Sequence, residues 1–204
     1  MKKILFIILI LFFPVVIAHK PFYEISNYTL IETPEISHAY YSELNGSEHI
    51  YEINSEKDFN LYVNILVPYE SNQRDFLVEI YQDNTLINTL NKEKYNWTFF
   101  NEPIAGDDYW MGPEYESKSK PGTYKIVVSS SENTGKYVLA TGKIESFTFK
   151  DTINTITILP KIKSEFFSKN PLSAYNNKFG FILLSLISIL VVLSFIIRNK
   201  LFNN

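Results

Sequence analysis

The feature that most limits this chain lies near its C-terminus. Phe179 to Ile197 reads FGFILLSLISILVVLSFII, 19 residues without a charge or a proline. A helix of that length rises roughly 28 Å, close to the thickness of a bilayer's hydrocarbon core. Buried core helices are usually shorter or amphipathic, so a transmembrane helix is expected over 179–197. Ser185, Ser188 and Ser194 can bond back to helix carbonyls. Gly180 and these serines offer at most a weak dimer face, without a GxxxG pattern. A second apolar run stands at the other end. Residues 1–18 combine Lys2 and Lys3, an apolar stretch from Ile4 to Ile17, and Val16 and Ala18 at the small-residue positions of a cleavage site. That is the layout of a secretory signal peptide, with an uncleaved anchor as the alternative. Cleavage would start the mature chain at His19. Residues 19–178 are then expected outside the cytoplasmic membrane and the tail, 198–204, inside, as a single-pass protein.

The folding part lies between these ends. At 204 residues, one domain plus extras is expected. Lys and Arg number 19 against 22 Asp and Glu. Without Lys2, Lys3, Arg198 and Lys200 the intervening segment keeps 15 against 22. Such an acidic segment repels phosphate backbones, so nucleic acid is not an expected partner. The chain has no cysteine, which excludes disulfides, thiolate zinc sites and a cysteine nucleophile.

The hydrophobic period in the middle is two. Phe59, Leu61, Val63, Ile65 and Val67 alternate with Asn60, Tyr62, Asn64 and Leu66, and Pro68 stops the run. Phe76, Val78 and Ile80 repeat the pattern up to Asp83-Asn84. Gly122 opens TYKIVVSS and Gly135 opens KYVLATG, with turn formers from Ser131 to Gly135 between them. Ile36–Leu44, Ile50–Ile53, Leu86–Leu90 and Tyr95–Phe100 complete about eight strands. The expected fold is all-β, an antiparallel sandwich over 19–149. Residues 150–178 carry Pro160 and Pro171 among scattered apolar positions. They read as a plain juxtamembrane stalk, or as a short helix whose lysines could touch anionic headgroups.

PGTYKIVV at Pro121–Val128 followed by NTGKYVLATG at Asn133–Gly142 resembles the closing strands of pre-peptidase C-terminal type β-sandwiches. His19 with Pro21, PEISHAYYSEL at Pro34–Leu44, LYVNILVP at Leu61–Pro68, Asn101 to Trp110, and GKYVLATGKIESF at Gly135–Phe147 extend the resemblance over most of 19–165. They are similar to an uncharacterised exported family that carries this sandwich between a signal peptide and a C-terminal membrane helix. The resemblance implies architecture and no particular chemistry. His38 departs from it, since an aromatic residue is more usual there.

Four groups of residues could carry chemistry. A mature N-terminal His19 would offer copper an α-amine and an imidazole, with His38 and His49 the only further histidines. The plain alternative puts His38 and His49 on strand surfaces. Asn101 to Ser117 holds Glu102, Asp107, Asp108, Glu114 and Glu116 with no basic residue. An irregular loop of that kind could coordinate calcium, although its spacing is not that of an EF-hand. Tyr109, Trp110 and Tyr115, with Tyr23, Tyr28, Tyr40 and Tyr41, could form a surface for a glycan or protein, or simply fill a core. Asn27, Asn45 and Asn96 begin N-x-S/T acceptors. No hydrolase, zinc-protease or phosphate-loop motif is present. The expected function is therefore a membrane-anchored, extracytoplasmic, non-enzymatic binding or assembly module for an unknown protein or glycan. A copper protein and a calcium-stabilised adhesion module are the alternatives.

Overall fold

The computed structural model describes residues 19–24, 26–91 and 96–202, so the leader 1–18 and the end of the tail lie outside the described residues. Eleven strands appear among them: β1 (Lys20–Glu24), β2 (Tyr28–Leu30), β3 (His38–Asn45), β4 (His49–Ser55), β5 (Phe59–Pro68), β6 (Leu77–Gln82), β7 (Thr85–Leu90), β8 (Thr98–Asn101), β9 (Asp108–Ser119), β10 (Gly122–Ser129) and β11 (Thr134–Thr141). They form a six-stranded sheet in the order β1-β3-β11-β5-β9-β8 and a five-stranded sheet in the order β2-β4-β10-β6-β7. The expected sandwich is present. Its pairs are antiparallel except at two edges, where β1 joins β3 and β2 joins β4 in parallel.

The period-two segments do what their pattern requires. Leu61, Val63, Ile65 and Val67 of β5 face Tyr51 and Ile53 of β4, Val78 and Ile80 of β6, and Tyr124, Ile126 and Val128 of β10 across one core. Between β6 and β7, Asp83 and Asn84 both adopt positive φ, 46° and 66°, the geometry of a tight hairpin whose twist matches its strands.

Three strands are absent from the sequence reading. β1 and β2 are short edge strands without alternation. The third, β9, runs through the segment expected to be an irregular acidic loop. Gly112 and Pro113 lie within that segment, at an irregularity in the β5–β9 register between Asn64 and Leu66. The Asn64 amide donates to the carbonyls of both, at 3.0 and 3.1 Å, so the interrupted ladder is repaired by a side chain. A Cβ on Gly112 would lie 2.7 Å from the Trp97 ring, so the strand needs glycine for this close approach.

The C-terminal third departs most from expectation. Residues 150–178 hold the short helix that was the alternative to a plain stalk, and it packs on the sheet instead of standing free. Helix α1 (Phe149–Lys161) starts at Thr148, whose hydroxyl accepts from Asp151 N while the Asp151 carboxylate accepts from Thr148 N. A π-helical turn (Ile162–Phe166) and a 3₁₀ turn (Pro171–Tyr175) follow. Pro160 has no N–H to give Ile156 O, and the Tyr175 hydroxyl donates to that carbonyl instead, at 2.8 Å. Ile162 and Phe166 pack on Ala39, Tyr41, Leu66, Tyr109, Val138 and Ala140, which form the outer face of the six-stranded sheet. Its central strands are therefore buried on both faces.

Helix α2 (Lys178–Phe202) contains a stretch, Lys178–Asn199, long and apolar enough to cross a membrane, with mean hydropathy 2.9 and 6% of its most apolar window buried. Ser185, Ser188 and Ser194 donate to Phe181 O, Leu184 O and Val191 O, as their positions suggested. Gly180 stands where α2 begins. A Cβ there would fall 1.7 Å from Tyr175 O, so glycine lets the helix start directly against the preceding turn.

Candidate functional site: a cavity between sheet and juxtamembrane helix

The outer face of the six-stranded sheet carries two small residues at its centre, Ala39 on β3 and Ala140 on β11, paired in register. Helix α1 crosses above them. Because alanines do not fill the space beneath a helix, a cavity of about 260 Å³ remains. Ala39, Leu66, Val138 and Ala140 line its sheet side, and Thr155, Leu159 and Phe179 line its helical side. Phe179 is the second residue of α2, so the cavity lies where the sandwich meets the apolar helix.

Few polar groups reach this space. The hydroxyls of Tyr41 and Tyr109 pair with each other at 3.1 Å, and burial pushes both phenols above their ordinary pKa. Glu102 lines the wall. Burial raises its pKa, opposed by the N–H groups of Ala105 and Ile104 that bond its carboxylate. His19 stands at the edge with Nδ1 against the Ser37 hydroxyl. The lining is predominantly hydrocarbon, with polar atoms mostly engaged by protein partners.

A clasp holds the helical side in place. Lys163 and Asp107 pair at 2.6 Å with side chains 3% and 2% exposed, and the ammonium also donates to Ala105 O at 3.0 Å. Lys169 approaches the other carboxylate oxygen at 3.4 Å and Glu70 at 3.8 Å. Lys20 pairs with Asp151 at 2.9 Å and ties β1 to α1. Burial alone would raise the Asp151 pKa, but Lys20 and the Thr148 donors bring it down to about 2. On the far side, Phe179 N donates to Ile104 O and Asn177 to Ala105 O, stitching the head of α2 to the 102–106 turn.

The residues singled out from sequence are mostly dispersed. His38 and His49 are not surface groups, being 6% and 4% exposed. His38 Nδ1 meets the Tyr40 hydroxyl at 3.1 Å. His49 belongs to a network between the sheets, its Nδ1 at 2.8 Å from Tyr137 OH and 3.2 Å from Ser42 Oγ, with Tyr51 OH 2.9 Å from Tyr137 OH. His19 and His38 stand near each other, but His49 is turned into the core, so the three copper candidates do not converge. The five calcium candidates are likewise not gathered: Glu102 and Asp107 precede β9, while Asp108, Glu114 and Glu116 are spread along it on either side of the register irregularity. Asp107 is consumed by lysines, Asp108 accepts from Asn101, Glu114 from Tyr62, and Glu116 from Lys143. Among the described residues no group of three or more His, Asp or Glu could hold a metal ion.

The expected aromatic surface is also divided. Tyr109 is buried under Ile162 and Phe166, while Trp110 and Tyr115 pack against the inner core. Trp110 is stacked on Tyr69 at 5.1 Å and has the Arg74 guanidinium 4.3 Å from its ring centroid, so it presents no free platform. Asn27, Asn45 and Asn96 are all exposed. The cavity was not anticipated from sequence. Its only signals were the two alanines in otherwise bulky strands and the apolar residues scattered from Ile153 to Phe167.

No protein-family model and no curated protein sequence matches the chain. Among solved structures it is similar to the pre-peptidase C-terminal domain of a Bacillus anthracis collagenase, at 14% identity and TM-score 0.37, covering 56% of this chain and 92% of that one. A GH87 alpha-1,3-glucanase catalytic domain in complex with nigerose is similar at 18% identity and TM-score 0.28, over 53% of this chain and 22% of that one. A Kluyveromyces marxianus beta-glucosidase in complex with glucose is similar at 16% identity and TM-score 0.28, over 56% of this chain and 13% of that one. The chain thus spans less than a quarter of either glycosidase structure.

Proposed function

We propose that the protein is a membrane-anchored, extracytoplasmic β-sandwich that acts as a non-enzymatic binding module, taking a small apolar ligand between its six-stranded sheet and α1. The observation that carries this reading is the cavity of about 260 Å³, bounded by Ala39, Ala140, Leu159 and Phe179. An apolar cavity of 150 Å³ already accepts benzene, so the space suffices for a ligand of moderate size. The anchor is α2, and the leader sends the sandwich across the membrane ahead of it. The copper and calcium alternatives have no comparable arrangement behind them.

The test uses the full chain in lipid nanodiscs with ¹³C-methyl alanine, isoleucine and methionine, titrated with n-hexanol. Saturable shifts are expected at the methyls of Ala39, Ala140 and Met111, all of which line the cavity, and not at Ile126, which is buried between the two sheets. Shifts that are non-saturable, or equal at Ile126, would remove the binding reading.

A further inference from the structure

We infer that the ligand of this cavity is an acyl chain of a bilayer phospholipid, entering beside the head of α2. The inference rests on the binding-module reading and names its ligand class. Three observations converge on it. The cavity wall is continuous with the membrane helix: Leu159 and Phe179 pack together in a cluster that Leu183, one turn further along α2, also joins. The same apolar surface therefore runs from the cavity onto the exposed side chains of the helix, among them Phe181 at 68% and Leu184 at 61% exposure.

The second observation is attachment. Phe179 N bonds Ile104 O at 3.2 Å and the Asn177 amide bonds Ala105 O at 2.8 Å, so the wall and the start of the span form one piece. Leu172, 72% exposed, stands on the turn just before α2. A cavity fixed to a membrane span meets lipid chains at an effective concentration no soluble ligand reaches. The third is chemistry. The Glu102 carboxyl on the wall, already bonded by backbone N–H groups, offers no counter-ion to an anion. A free carboxylate beside Glu102 is thereby disfavoured, whereas an esterified chain leaves its charged head outside. Scaling from benzene in 150 Å³, the space holds about ten chain carbons, the distal part of an ordinary acyl chain.

The experiment places the full chain in nanodiscs containing phosphatidylcholine with a diazirine near the end of one acyl chain. After irradiation, adducts are mapped by peptide mass spectrometry. Adducts are expected on peptides holding Ala39, Ala140 or Leu159, about fivefold or more above those on β7, whose exposed Leu86 and Ile87 do not line the cavity. Ala140→Leu from the sheet side, and independently Thr155→Leu from the helix side, should each lower the cavity adducts about fivefold while leaving those on α2 unchanged. Adducts confined to Phe181–Ile197 in the wild-type chain would overturn the inference without relying on any variant. If hexanol still shifts the Ala39 and Ala140 methyls in that case, the cavity binds ligands and only the lipid assignment falls. If hexanol also fails, both readings fall together.

Discussion

Replacing Asp107 by alanine tests whether residues 150–178 belong to the folded domain. Asp107 is 2% exposed and accepts from Lys163 at 2.6 Å and Lys169 at 3.4 Å. Its removal leaves the Lys163 ammonium, 3% exposed, with Ala105 O at 3.0 Å and the Phe167 ring centroid at 5.8 Å. Breaking a buried pair from one side costs about 3–5 kcal/mol, because the surviving charge is stranded away from water. For a domain of this size that lowers Tm by about 10 °C. Lys163→Met should cost less, about 2 kcal/mol, since Lys169 still faces Asp107. The double variant Asp107→Leu, Lys163→Met should recover most of the loss and come within about 1 kcal/mol of wild type, because neither charge is then desolvated. The measurement is unfolding of the full chain in detergent micelles, followed by near-ultraviolet circular dichroism, with hydrogen exchange of residues 149–178 alongside. A loss below about 1 kcal/mol in Asp107→Ala, with unchanged exchange, would refute the argument. It would mean that the pair is hydrated and the segment is not clasped to the sheet.

The remaining predictions follow from the same packing. Burial holds the pKa of His49 below its usual value, and burial, then Lys20, lowers that of His38 to about 4, with Asp151 opposing and His19 adding to the lowering. Unfolded histidines near 6.5 bind more protons than these folded ones below that pH, so stability is full above pH 6.5 and declines as pH falls toward 4. The His38 share is about 2 kcal/mol after discounting for solvent screening, and equilibrium unfolding at a series of pH values in His38→Phe, which flattens that decline, checks it. Tyr137→Ala should cost about 3–5 kcal/mol by cavity formation, and Tyr137→Phe about 1–2 kcal/mol by removing the hydroxyl's bonds to His49 and Tyr51; denaturant titration separates the two. Ending the chain at residue 149 uncovers Tyr41, Leu66, Val138 and Tyr109 together, so that protein should bind a hydrophobic dye and self-associate, as sedimentation velocity would reveal.

Much of the architecture was legible residue by residue. A strand with one wet face must alternate, and β5, β6, β10 and β11 were readable because they do. The 19-residue uncharged run announced a helix long and apolar enough to cross a membrane, because its length matches the hydrocarbon core of a bilayer. Tertiary structure decided the rest. Edge strands β1 and β2 carry little alternation. The Gly112-Pro113 pair breaks the pattern of β9, and sequence cannot show that the distant Asn64 amide meets its carbonyls. Pro160 and Pro171 argued for a stalk, since sequence cannot show that the carbonyl freed at Ile156 meets a hydroxyl 19 residues onward. The candidate ligand sets dissolved for a related reason. Whether neighbouring carboxylates or distant histidines converge depends on which face of a strand each occupies, and on which lysine folds back to meet it. Likewise two alanines in a strand are only small residues until a helix crosses above them and their missing side chains become a cavity.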